Sequence, residues 1–75
     1  MKIKYSDHCV ERLKKRRISK LRVESTIQNP DNTLKSFRSR RLLQKHFGDK
    51  ILEVVTKVEG KKITIITGYY LKENA

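Results

Sequence analysis

Apolar and polar residues change their period along the chain, and the changes mark the elements. Ile3 and Tyr5 alternate with Lys2 and Lys4, the period of two that predicts a short strand. Ser6 then offers a side-chain oxygen suited to a helix N-cap, so the first helix is predicted to begin at Asp7, with Val10 and Leu13, flanked by Cys9, as a narrow apolar stripe. Asp7 at the amino end and Lys14, Lys15, Arg16 and Arg17 at the carboxyl end both match the helix macrodipole. A second helix is predicted from Lys20 to about Gln28, capped by Ser19, with Ile18 and Val23 as a hydrophobic staple. Asn29-Pro30-Asp31 stops it, because proline lacks the amide hydrogen and drives the residue before it towards extended geometry.

From Thr33 onward no helical stripe persists, and short polar breaks at Ser39-Arg40, Gly48-Asp49 and Glu59-Gly60 separate extended runs. Strands are predicted at Thr33 to Arg38, Arg41 to Phe47, Ile51 to Val58 and Ile63 to Tyr70. Connections this short make consecutive strands antiparallel neighbours. The expected fold is therefore α+β, in the order β-α-α-β-β-β-β, with two helices packed on a mostly antiparallel sheet and residues 1–75 forming one domain. The helices should cover one face of the sheet, leaving the other to be lined by Lys35, Arg38, Arg41, Lys45 and Lys57.

Charge gives this architecture a direction. Nineteen Lys and Arg stand against eight Asp and Glu, a formal net charge of +11 on 75 residues. Such self-repulsion suits a polyanionic partner, nucleic acid above all, with an acidic protein as the other reading. The single cysteine, Cys9, excludes an intramolecular disulfide and reads as a core residue. No Cys/His spacing suits zinc, the acidic residues form no motif for a catalytic cation, and no cofactor is expected. No apolar run approaches the roughly 20 residues of a membrane span, and no secretory segment is readable, so a cytoplasmic location is expected.

Three constellations could carry chemistry. His8, Arg12 and Arg16 recur every four residues and project from one helix face beside the apolar stripe, where a phosphate could sit between a proton-exchanging imidazole and bidentate guanidinium groups. The same spacing also describes a solvated basic face. Arg38, Arg40, Arg41, Lys45 and His46 span the first sheet hairpin; alternation places Arg41 and Lys45 with Leu43, and His46 with Leu42 and Gln44, so no one face presents every charge. They read as a phosphate-tracking or solubilising edge. Tyr69 and Tyr70 end the last strand, and either ring could stack on a base or cap the core.

Ser6-Asp7-His8-Cys9-Val10-Glu11-Arg12-Leu13, the basic run into Arg17-Ile18-Ser19, the Asn29-Pro30-Asp31 stop and the terminal Thr67-Gly68-Tyr69-Tyr70 together resemble the small domains grouped with RelE-type toxins. The resemblance covers nearly the whole chain. It implies a RelE-like fold whose characterised members cleave messenger RNA without metal, often at the ribosome, and are silenced by an antitoxin. His8 and Arg12 match the family's N-terminal His-x-x-x-Arg motif, and Tyr70 occupies the place of a functional C-terminal tyrosine, with Tyr69 an equal candidate. Where many such domains carry glycine between the two helices, this chain has Arg17.

The expected activity is metal-independent cleavage of single-stranded or messenger RNA through the ribose 2′-hydroxyl, which only RNA supplies. His8, Arg12, Arg41 and Tyr70 would be the catalytic set, and Arg16, Arg38, Arg40, Lys45, His46 and Tyr69 would bind the strand. The expected partners are RNA, at the ribosome or free, and an acidic antitoxin. The alternative is a non-catalytic basic module of the same fold that binds nucleic acid or answers to a partner.

Overall fold

The computed structural model describes residues 2–36 and 38–71. Its elements are β1 (Lys2–Tyr5), α1 (Asp7–Lys15), α2 (Lys20–Gln28), β2 (Asn32–Lys35), β3 (Arg40–Phe47), β4 (Lys50–Glu59) and β5 (Lys62–Leu71), in the predicted order. Both helices start on the predicted caps: Ser6 Oγ accepts from the Cys9 amide at 3.1 Å, and Ser19 Oγ from the Arg22 amide at 3.2 Å.

α1 ends in a Schellman closure. The Ile18 amide donates to the Leu13 carbonyl at 2.9 Å and the Arg17 amide to that of Lys14 at 3.1 Å, with Arg17 at φ 55. Arg17 thus occupies a left-handed position where glycine carries no Cβ penalty. Arg17→Gly is expected to raise stability by about 1 kcal/mol in urea unfolding, without changing the slope of the transition. A destabilised variant would mean that the arginine side chain outweighs its backbone strain.

The sheet order is β1-β5-β4-β3-β2. β2 through β5 form consecutive antiparallel pairs, as the short connections require, while β1 joins the far side of β5 in parallel. β1 covers only Lys62 to Ile65 of β5, so among the described residues no strand lies beside the outer edge of β5 beyond Ile65. β2 is shorter than predicted: after Lys35 the chain turns, the Ser36 amide donates to the Arg40 carbonyl at 2.9 Å, and Arg38 and Ser39 adopt left-handed φ values of 59° and 62°. The part of the predicted strand that falls on Phe37 lies outside the described residues.

Both helices pack on one face. Cys9, Leu13, Ile18 and Val23 meet Leu52, Val54, Ile63 and Ile65, all at most 6% exposed. Gly68 allows the close approach of α1: a Cβ there would lie 3.3 Å from Leu13 Cδ2. Burying Cys9 among these apolar groups raises the pKa of its thiol, against a smaller opposing pull from Arg16.

The register corrects the expected lining of the other face. Lys45 pairs with Leu52, and Arg41 with Thr56 and Lys35, so Lys35, Arg41 and Lys45 stand on the helix side. Arg38 lies in the turn, and of the predicted five only Lys57 faces outward from the open side. Strand alternation reverses the assignment wherever the residue count from a core position is even.

Candidate nucleic-acid interface

The uncovered face of the sheet is organised in rows across the strands. One row is mainly apolar: Leu34, Leu42, Val55 and Thr67. On one side of it runs a basic row of Arg40, Lys57 and Lys4, interrupted by Thr64. On the other side Gln44, Glu53 and Tyr69 stand in register on β3, β4 and β5. A face that mixes apolar or aromatic surface with flanking cations suits splayed bases and a phosphate backbone together.

Glu53 is the unusual member of that face. It is only 6% exposed although its strand neighbours Leu52 and Val54 point to the opposite side. Its carboxylate accepts from Gln44 Nε2 at 2.8 Å on one oxygen and from the Tyr69 hydroxyl on the other. These bonds compensate for removing the carboxylate from water. The Tyr69 phenol is correspondingly pushed up to about 12, first by its hydrogen bond to Glu53, then by burial and by the glutamate's negative charge, with Arg16 opposing.

Arg16 reaches this cluster from the other layer. It caps α1, and its guanidinium donates to Thr67 Oγ1 at 3.2 Å and to the Gly68 carbonyl at 2.9 Å, with its Cζ 5.9 Å from the centre of the Tyr69 ring. The gap left by the short β1 lets an arginine from the helix side wrap the outer edge of β5. His8 and Arg12 continue the same exposed stripe towards the helix start, His8 lying two turns away, about 12 Å along the axis.

The two adjacent tyrosines separate. Tyr69 belongs to the open face, whereas Tyr70 pairs with Leu52 and packs at the margin of the core. Arg22 Nη1 donates to the Tyr70 hydroxyl at 2.6 Å, the Arg22 guanidinium lies 4.9 Å from the Phe47 ring centre, and Lys50 Nζ lies 5.2 Å from that of Tyr70. Arg41 stands far from this group. Its row is that of Thr56, four residues along β4 from Leu52, which places it about 13 Å along the strands and about 10 Å across them from Tyr70. The predicted catalytic set therefore does not converge as a unit.

Lys45 and His46 hold the α2–β2 connection. Lys45 Nζ donates to the Asn29 carbonyl at 2.8 Å, where a cation also complements the carboxyl end of α2. The His46 amide donates to Asp31 Oδ2 at 2.8 Å, and His46 Nδ1 lies 3.0 Å from the same oxygen. These contacts lower the Asp31 pKa, the backbone hydrogen bond foremost. Arg40 and Arg41 instead border a cavity at the β2–β3 turn.

Glu53, Gln44 and Arg22 were absent from the sequence-based candidates. One signal was available for Glu53: it is the lone charge within the apolar run Ile51 to Val55. Among the described residues, no group of three or more His, Cys, Asp or Glu side chains could hold a metal ion, and no helix is long and apolar enough to cross a membrane.

Fold and site thus define a small basic α+β domain with an open, partly aromatic sheet face. A family described as a domain of unknown function, DUF4258, matches residues 5–70, and the chain belongs to that family. No curated protein and no solved structure matches it.

Proposed function

We propose that the chain is a metal-independent endoribonuclease of RelE-toxin type, acting in the cytoplasm on single-stranded or messenger RNA laid across the open face, and restrained by an acidic antitoxin. The observation that supports this most is the carboxylate of Glu53, held beside Tyr69 and Arg16 in a protein of net charge +11. In the proposed reaction Glu53 takes the proton of a ribose 2′-hydroxyl. The O2′–P bond forms, the P–O5′ bond breaks, and the departing 5′-oxygen takes a proton from water. The products are a 2′,3′-cyclic phosphate and a 5′-hydroxyl. Gln44 and Tyr69 orient the carboxylate, Arg16 stabilises charge on the phosphorane, and the Tyr69 ring positions a base. His8 and Arg12, further along the stripe, hold flanking phosphates.

A second reading has its own support: both Glu53 oxygens already accept hydrogen bonds, as they would in a purely structural cluster of a nucleic-acid-binding module. Alanine variants along α1 separate the two. Arg16→Ala is expected to slow RNA cleavage by about 10²–10³-fold. His8→Ala and Arg12→Ala should chiefly raise KM, and Lys15→Ala, which removes the same charge from the same helix, should be near neutral. Equal effects of Arg16→Ala and Lys15→Ala would make the helix a general basic handle and favour the binding module.

A further inference from the structure

The cavity at the β2–β3 turn is separate from the Glu53 cluster and has a chemistry of its own. It is a concavity of about 400 Å³, open to solvent and lined by Lys35, Ser36, Ser39, Arg40, Arg41 and Val58. Three cations and two hydroxyls thus border one concavity, and none of the six lining residues is a carboxylate. Cross-strand pairing holds the arrangement: Lys35 lies directly opposite Arg41, and the Ser36 amide is fixed to the Arg40 carbonyl at 2.9 Å. Ser39 enters the cavity wall from a left-handed backbone conformation, φ 62, that a residue with a Cβ adopts only at a cost. Like charges that line one concavity repel one another, and an anion between them would relieve that repulsion.

The geometry points to a binding site for a terminal phosphate, a phosphomonoester at the end of an RNA strand. This rests on the RNA reading above and adds a subsite to it. A phosphomonoester carries about −1.5 to −2 charge near neutral pH and three acceptor oxygens, matching three cations and two hydroxyl donors. An internal phosphodiester brings one charge and leaves most of those donors without a partner. Arginine adds planar, two-pronged donation to phosphate oxygens, and two arginines stand at this cavity. The volume exceeds that of a phosphate alone and leaves room for the attached ribose, with Val58 as the apolar wall. Arg41, which lies far from Tyr70, thereby has a binding role instead of a place at the reacting phosphorus.

The test uses short 2′-O-methyl oligonucleotides of one sequence, which lack the attacking hydroxyl, with a 5′-hydroxyl, a 5′-phosphate or a 3′-phosphate end. Binding to the full chain is measured at one fixed salt concentration. One phosphorylated form is expected to bind about tenfold tighter than the unphosphorylated strand or better, since hydrogen bonds to charged groups are worth more than neutral ones; which form wins tells the end recognised. Lys35→Ala/Arg41→Ala should abolish that advantage while keeping affinity for the unphosphorylated strand within a few-fold. Lys14→Ala/Lys15→Ala, removing equal charge elsewhere, should preserve it. Equal affinity for all three strands, or an advantage that survives in the Lys35→Ala/Arg41→Ala protein, overturns the inference while leaving RNA binding on the open face intact. Failure of every strand to bind overturns both.

Discussion

Glu53→Gln should lower RNA cleavage by about 10²–10⁴-fold, the range typical of losing a general base, while the protein keeps its fold. The substitution is nearly isosteric. The glutamine oxygen can still accept one hydrogen bond on the open face, so neither Gln44 nor Tyr69 is stranded in a void, although one of the two bonds must be rearranged. The same variant has a readout independent of catalysis. The Tyr69 phenol is pushed up to about 12 foremost because Glu53 accepts its hydrogen bond, then by burial and by the glutamate's charge. Removing the carboxylate should bring that titration down part of the way towards 10, burial keeping the remainder, and the shift is visible in the ultraviolet absorbance of tyrosinate. In the unaltered protein the raised phenol pKa means that the folded state holds this proton more tightly than the unfolded chain. Its contribution to stability is therefore intact below about pH 10 and is lost as the pH rises towards about 12. A variant that loses the absorbance shift but cleaves normally would leave Glu53 a structural acceptor only.

RNA binding should fall by about 10³–10⁵ between roughly 50 and 200 mM salt if the strand makes six to ten phosphate contacts, since each releases condensed counterions. Arg40, Lys57, Lys4, Lys2 and Lys62 on the uncovered face, with Arg12 and Arg16 of the α1 stripe, supply enough cations for that number without the turn cavity. Lys57 contributes in part only, as its ammonium lies 3.4 Å from Glu59 in an exposed pair. The salt slope is measured with 2′-O-methyl strands, so that turnover does not distort it. Affinity that scarcely changes with salt would redirect the basic surface to another partner.

Helices were the most readable part of this chain because their signals are local. Ser6 and Ser19 sit three residues before the amides they cap, and Asn29-Pro30 acts on its own neighbours. The four C-terminal strands were readable from alternation and short breaks, but β1 was placed only as a strand: its parallel seat beside β5 depends on a chain segment some sixty residues away, Lys2 opposite Lys62. Facing was the weak step. Lys35, Arg41 and Lys45 were assigned to the open side, yet the core positions Leu43, Leu52 and Val54 share their face. A register irregularity between Val55 and Thr56 further breaks simple counting along β4 and β5. Glu53 illustrates the limit best: its partners Gln44 and Tyr69 become neighbours only once three strands are aligned. Tyr69 and Tyr70 remained equivalent in sequence for the same reason, and the pleat alone separates them.

Metal-independent cleavage is tested by incubating the purified chain with single-stranded RNA, and with ribosomes carrying messenger RNA, in the presence of a chelator and analysing the ends of the products. Fragments ending in 2′,3′-cyclic phosphate and 5′-hydroxyl are expected, formed without added metal and lost with Glu53→Gln. RNA left intact in every condition, or cut only after a divalent cation is restored, would contradict it.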